Sequence, residues 1–196
     1  NFFVKLLNWE GAGADWIASY ERRFRLEQAA IEAGIAAPEP LLTPSGRCLA
    51  EIPGAGSLPH VVRVHRWVEG RSLPAGPVSA EDAATLGGIL AKLHALHIKE
   101  PATPGQVLPL YPIEDWIERE REIPELKGVT PAMLRIHARV LAGRSAVKRT
   151  LLCHRDINNR NVLRARDGRL FIVDWELAGP LDPSLHIGTP LPGWPG

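Results

Sequence analysis

Hydrophobic and polar positions along the chain change rhythm twice. Phe2-Phe3-Val4-Lys5-Leu6-Leu7 is an apolar run interrupted by one lysine, which reads as a strand. After a polar link with Gly11 and Gly13, Trp16, Tyr20, Phe24, Ile31 and several alanines recur at helical spacing. This predicts a helix from about Asp15 to Ala33, with Gly34 as its C-terminal stop. Pro38 to Leu42 and Cys48 to Ile52 read as short strands about the turn Thr43-Pro44-Ser45-Gly46-Arg47. Pro53 to Pro59 reads as a loop, and the alternating, β-branched segment His60 to Val68 as a longer strand.

Beyond Glu69-Gly70 the pattern is mainly helical. Ser79 caps a predicted helix running to about His97, with Leu86, Ile89, Leu90, Leu93 and Leu96 at three- and four-residue spacing. Gly87-Gly88 inside it costs roughly 1 kcal/mol per glycine against alanine, so close packing is expected there. His94 is expected to be packed or hydrogen-bonded. Pro112 to about Ile123 reads as a short helix of mixed charge. Thr130-Pro131 opens another, with threonine as cap, carrying Met133, Leu134, Ile136, Val140 and Leu141 to Gly143.

The rhythm returns to short apolar segments at Leu151-Leu152-Cys153, Val162-Leu163 and Leu170 to Val173. Arg166-Asp167-Gly168-Arg169 separates the last two, and Asp-Gly between apolar segments is a strong hairpin signal. With Asp167-Gly168 as a two-residue loop, Leu163 faces Ile172, Val162 faces Val173 and Asn161 faces Asp174. The loop His154 to Asn161 feeds the same end and carries Asp156. Two carboxylates and an amide oxygen converging there form a hard-oxygen donor set suited to Mg²⁺.

Composition narrows the class. The chain has 196 residues, 45% hydrophobic and 23% charged, with a formal charge of +1, which leaves no field for nucleic acid or membrane surfaces. No apolar run approaches the roughly 20 residues that span a bilayer, and no signal peptide is apparent. Cys48 and Cys153 are too few for a disulfide framework or a zinc site. A cytoplasmic protein with reduced thiols is expected.

His154-Arg155-Asp156, four residues, Asn161-Val162-Leu163 and then Val173-Asp174-Trp175 resemble the arrangement H-x-D-x-x-x-x-N-V-L followed by V/I-D-W. That is the pattern of the aminoglycoside phosphotransferase and choline kinase branch of the protein-kinase-like phosphotransferases. His-Arg-Asp alone is more often a solvated loop than a catalytic one, so the weight rests on the combination with Asn161, Asp174 and the hairpin. The resemblance implies an α+β, protein-kinase-like fold of two lobes. Residues 1–68 would be a partial N-lobe ending in the hinge, and residues 69–196 a mainly helical C-lobe. It implies transfer of the γ-phosphoryl group of ATP or GTP to a hydroxyl of a small acceptor, with Mg²⁺ as cofactor.

Residue by residue, the resemblance makes Asp156 the base, Asn161 and Asp174 the metal ligands, and Lys5 the phosphate contact. Glu27 ranks first as partner of Lys5, ahead of Glu21, with Glu32 also in range. The backbone groups of Arg66 and Val68 would meet the adenine. Arg155 departs from the small residue often found at its position in this branch. The resemblance begins at the strand of Lys5 and ends about 20 residues after Asp174. A phosphate-covering loop and the helices that carry much of the acceptor site would therefore lie outside this sequence. The rival reading from another class is a non-catalytic nucleotide-binding domain. A His-Asp hydrolase lacks any serine or cysteine nucleophile motif.

Overall fold

The computed structural model describes residues 1–7, 14–53, 60–107, 112–144, 147 and 149–188. The Gly11/Gly13 link, most of the Pro53–Pro59 loop and the Pro- and Gly-rich C-terminal stretch lie outside the described residues. The fold is α+β, as expected. Strand β1 (Phe2–Leu7) is followed by α1 (Ala14–Glu32), β2 (Pro40–Leu41), β3 (Ala50–Ile52) and β4 (His60–Arg66). All four strands form one antiparallel sheet centred on β4, with β1 along one edge and β2 and β3 sharing the other. The β1 register sets Lys5 opposite Arg63.

The second part contains β5 (Gly70–Ser72), α2 (Ala80–Ala95), α3 (Pro104–Val107), α4 (Ile113–Glu122) and α5 (Thr130–Arg144). It continues with β6 (Leu151–Cys153), β7 (Val162–Ala165), β8 (Leu170–Ile172), β9 (Gly179–Leu181) and α6 (Pro183–Gly188). The β7–β8 hairpin gains β5 as a third strand, and β6 pairs with β9. Ser79 caps α2 as expected, its hydroxyl accepting from the Asp82 amide at 3.1 Å. Thr130 differs from expectation. It is the first helical residue of α5, and its amide and hydroxyl donate to the Glu120 carboxylate on α4. A carboxylate from a neighbouring helix thus does the work of a cap.

Helix α1 joins the two parts. Tyr20 and Phe24 pack with Leu7, Cys48, Leu49 and Val61 of the sheet. Further along the same helix, Leu26 and Ala30 pack into the larger core with Leu86, Leu90, Leu93, Leu152, Ile157, Ile172 and Trp175. A backbone bond from the Ile172 N–H to the Ala36 carbonyl adds a second tie. His154 and His186 are wholly buried. The His154 ring meets Trp175 edge-on at 4.6 Å, and His186 Nδ1 lies 3.0 Å from His94 Nε2. Cys153 comes within 4.8 Å of both of the latter histidines. Burial pushes its thiol up to about 12, and that thiol lies against the Leu181 carbonyl at 3.7 Å.

Two expected outcomes follow from this packing. A Cβ added at Gly87 or Gly88 would meet nothing within 4 Å, so the close packing expected there does not occur. Gly88→Ala should stabilise the fold by roughly 1 kcal/mol in urea titration, because alanine loses less backbone entropy in a helix. An unchanged or lowered midpoint would contradict the open surface. Burial also lowers His154 to about 4 and His186 to about 3, the latter helped by the neighbouring histidines. Unfolded imidazoles titrate near about 6.5. Stability from these groups is therefore complete above that pH and is lost as pH falls towards 4, at about 1.4 kcal/mol per pH unit for each histidine. The melting temperature should already decline between about pH 6.5 and 5, before carboxylates titrate, and a flat profile there would count against neutral buried rings.

Candidate active site

The site is built where the 154–161 loop, the end of β8 and the sheet meet. His154 organises it. Its Nδ1 accepts from the Asp156 amide at 3.3 Å, so its other nitrogen carries the proton and donates to the Val173 carbonyl at 3.1 Å. One neutral ring thereby fixes both Asp156 and the residue preceding Asp174. Sequence reasoning gave His154 no role beyond its place in the motif. Only its complete burial and its two backbone partners reveal one.

Asp156 is held by amides. Its Oδ1 accepts from Asn158 at 2.8 Å and its Oδ2 from Asn161 at 2.7 Å, and the Asn161 amide also reaches the Asp156 carbonyl at 2.8 Å. A carboxylate can only accept, so the Asn161 NH₂ must face it. The Asn161 Oδ1 is left as an acceptor for another ligand.

The hairpin places Asn161 and Asp174 one step out of the expected register. Val162 faces Ile172 and Leu163 faces Phe171. The Ala165 N–H bonds Arg169 and the Gly168 N–H bonds Ala165, so the loop has three residues, Arg166-Asp167-Gly168. Gly168 has φ +84° and Asp167 does not have a positive φ, which matches a type I turn closed by a left-handed glycine rather than a two-residue turn. Asn161 therefore faces Val173, whose N–H donates to the Asn161 carbonyl at 3.0 Å. Asp174 follows with φ 62° and ψ 63°, a left-handed conformation that aspartate tolerates better than most residues, and opens a 3-10 turn over Trp175–Leu177.

A cleft of about 320 Å³ contains all of the expected site residues except Asp156. Lys5, Glu27, Arg66, Val68, Asn161 and Asp174 line it, with Arg63, His65 and Glu176. The Lys5–Glu27 pair expected from the sequence does not form. Lys5 Nζ lies 2.8 Å from Glu176 Oε1 and 3.1 Å from Asp174 Oδ1. Burial alone would lower the ammonium, but these two carboxylates more than offset it and hold it above its ordinary range. Glu27, wholly buried, instead pairs with Arg63 and accepts from His65 at 3.1 Å. Arg63 sits opposite Lys5 across the β1–β4 ladder and takes the carboxylate first. Burial, with the Arg63 charge beside it, lowers His65 to about 4, so the ring donates to Glu27 as a neutral group. Glu21 is committed elsewhere, to Arg47 at 3.7 Å and to the Cys48 thiol at 3.5 Å.

At the end of β4 the two expected adenine contacts differ. The Arg66 N–H donates to the Glu39 carbonyl at 2.8 Å, and the Trp67 N–H to the Asn1 carbonyl at 3.1 Å. The Val68 N–H carries no hydrogen bond among the described residues and faces no such competition. Asn161 Oδ1, Asp174 and Glu176 together offer hard oxygen donors, a set chemically matched to a divalent cation of the Mg²⁺ or Ca²⁺ type. Among the described residues no helix is long and apolar enough to cross a membrane.

Several solved structures share the fold of this chain. An amicoumacin kinase in complex with AMP-PNP, Ca²⁺ and Ami superposes with a TM-score of 0.61 at 15% identity, over 98% of this chain and 57% of that one. An aminoglycoside-3'-phosphotransferase of type VIII gives 0.57 at 22% identity, over 98% and 68%. A choline/ethanolamine kinase family protein from Mesorhizobium loti gives 0.52 at 23% identity, over 97% and 57%. The chain thus spans a little under three fifths of the first and third of these proteins. The model of the phosphotransferase enzyme family matches residues 10–189, which is most of the sequence, and the chain belongs to that family.

Proposed function

We propose that this chain forms the nucleotide-binding and catalytic part of a small-molecule kinase, transferring the γ-phosphoryl group of ATP or GTP to a hydroxyl of a small acceptor. One observation carries the reading. Asn161, which clamps Asp156, and Asp174, held beside Lys5, line one cleft at the end of the β7–β8 hairpin. Phosphoryl transfer depends mainly on positioning and on neutralising charge, and these groups supply both.

In this reading Asp156 orients the acceptor hydroxyl and takes its proton. The hydroxyl oxygen forms the new bond to the γ-phosphorus, the bond from that phosphorus to the bridging oxygen breaks, and the nucleoside diphosphate leaves with the electron pair. Asn161 and Asp174 would hold Mg²⁺, which neutralises phosphate charge when bound. Lys5 turns its ammonium to the α- and β-phosphates. Glu27 acts one step removed, fixing Arg63 and His65 in the cleft wall. The Val68 amide is the backbone donor for the base, with the Arg66 segment shaping that end. The amicoumacin kinase complex with AMP-PNP and Ca²⁺ supports a nucleotide and a divalent ion here. Cytoplasmic residence fits two buried, unpaired cysteines.

A non-catalytic nucleotide-binding domain is the second reading, favoured by the attachment of Lys5 to Asp174 and Glu176 instead of a helix glutamate. Two variants separate the readings in the full protein. Asp156→Ala should cut turnover by about 10²–10⁴-fold, the usual size for a positioned base, with little change in Mg-nucleotide affinity. Asp174→Ala should weaken Mg-nucleotide binding together with turnover. Initial rates and nucleotide titrations on each variant check this, and near-normal turnover in Asp156→Ala would move the binding-domain reading ahead.

A further inference from the structure

Three metal-ligating side chains come together away from the cleft of Lys5 and Asp174. His94 sits on α2, Cys153 at the end of β6 and His186 on α6, and none of them lines that cleft. Their nitrogen and sulfur donor atoms all lie within 4.8 Å of one another. The three residues are far apart in the sequence, so no spacing motif marks them. Two cysteines alone gave no reason to expect a zinc site, and the fold supplies the histidines that change this.

Protonation in the metal-free protein follows from the hydrogen bonds. His186 Nε2 accepts from the Arg155 amide at 3.4 Å, so its Nδ1 carries the proton and donates to His94 Nε2 at 3.0 Å. His94 thus turns an acceptor nitrogen inward, the tautomer that a metal requires. Burial disfavours the charged form of both rings, so protons do not compete for them at neutral pH. The thiol is the opposite case. Burial pushes it up to about 12, and it becomes a thiolate only when a cation replaces its proton. Asp182 is the acidic group acting on this thiol, and Arg149 and Arg155 are the basic ones; Arg149 also acts on His94.

We propose that His94 Nε2, Cys153 Sγ and His186 Nδ1 bind one divalent cation of the Zn²⁺ type. Two imidazoles and a thiolate suit a borderline-soft ion and do not suit Mg²⁺. Tetrahedral Zn²⁺ sets its nitrogen and sulfur ligands about 3.3–3.6 Å apart. The rings then open slightly from 3.0 Å, and the thiol closes by about 1 Å at most. The thiol proton leaves to solvent, the His186 ring exchanges its Nδ1 proton for one on Nε2, and no electron changes hands. The Arg155 amide loses its acceptor, a small cost for a contact of 3.4 Å. Water completes the fourth position. His94 is only half-buried and gives the ion its way in. The bound ion links α6, a helix of six residues, to α2 and to the strand that enters the 154–161 loop.

The test is titration of the reduced full protein with Co²⁺, with excess Mg²⁺ present to saturate oxygen donors. One equivalent should produce an absorption band from thiolate-to-cobalt charge transfer, and Zn²⁺ should remove it by displacement. Cys153→Ser should abolish the band, and Cys48→Ser should keep it. His94→Gln, at a half-buried position, should weaken Co²⁺ binding by about tenfold or more, which keeps the proposal testable if Cys153→Ser misfolds. Zn²⁺ should raise the melting temperature of the unaltered protein and leave that of Cys153→Ser unchanged. Absence of the band in folded protein overturns the proposal. So does a band that depends on Cys48, or Co²⁺ affinity in His94→Gln within about twofold of the unaltered protein. The readout is thiolate ligation rather than turnover, so it stands apart from the phosphotransferase reading.

Discussion

A neutral imidazole without access to water is the constraint on which the site depends. His154 can accept from the Asp156 amide and donate to the Val173 carbonyl only while it carries one proton. Burial among apolar neighbours and against Trp175 keeps it in that state. Asp156 and Asp174 lie on separate segments of chain, and this ring is the group that both segments share. The Asn161 amide adds a second brace from the hairpin. A buried polar network of this kind is favourable only when each member is satisfied, and here the loop backbone satisfies the ring on both sides.

Charge is distributed unevenly around the cleft that Lys5 and Glu27 line. Lys5 answers two carboxylates on one side, while Glu27 answers Arg63 and His65 on the other. The sheet register explains the division. Lys5 and Arg63 are cross-strand neighbours, so two cations compete for whatever acid α1 presents, and the more buried one takes it. Lys5 is left facing Asp174 and Glu176 in the turn after β8.

Sequence reading recovers the elements whose signals are local. The strand around Lys5, the Ser79 cap, the long helices and the Asp167-Gly168 hairpin are each specified by a few adjacent residues. Failures arise where two geometries share one local signal. Asp-Gly serves a two-residue turn or the end of a three-residue one, and the choice shifts each partner by one step. Strands β5 and β9 have three residues each and no periodicity, and exist only because β7 and β6 offer them an edge. The Lys5–Glu27 expectation failed for a different reason. Helical spacing identifies the face of α1 that Glu27 occupies, but not which cation of the sheet lies beneath it.

Helix α1 constrains how the two halves can move. Its Tyr20 and Phe24 belong to one core and its Leu26 and Ala30 to the other, within three turns of a single rigid element. A free hinge needs a boundary that few packed side chains cross, and no such boundary exists along this helix. Opening or closing the cleft must then proceed as shear, with α1 sliding by small side-chain rearrangements against the hairpin while it stays seated on the sheet. Such motion is limited in amplitude, and its cost is set by the packing of Leu26 and Ala30 rather than by the stiffness of the chain at residues 66–70.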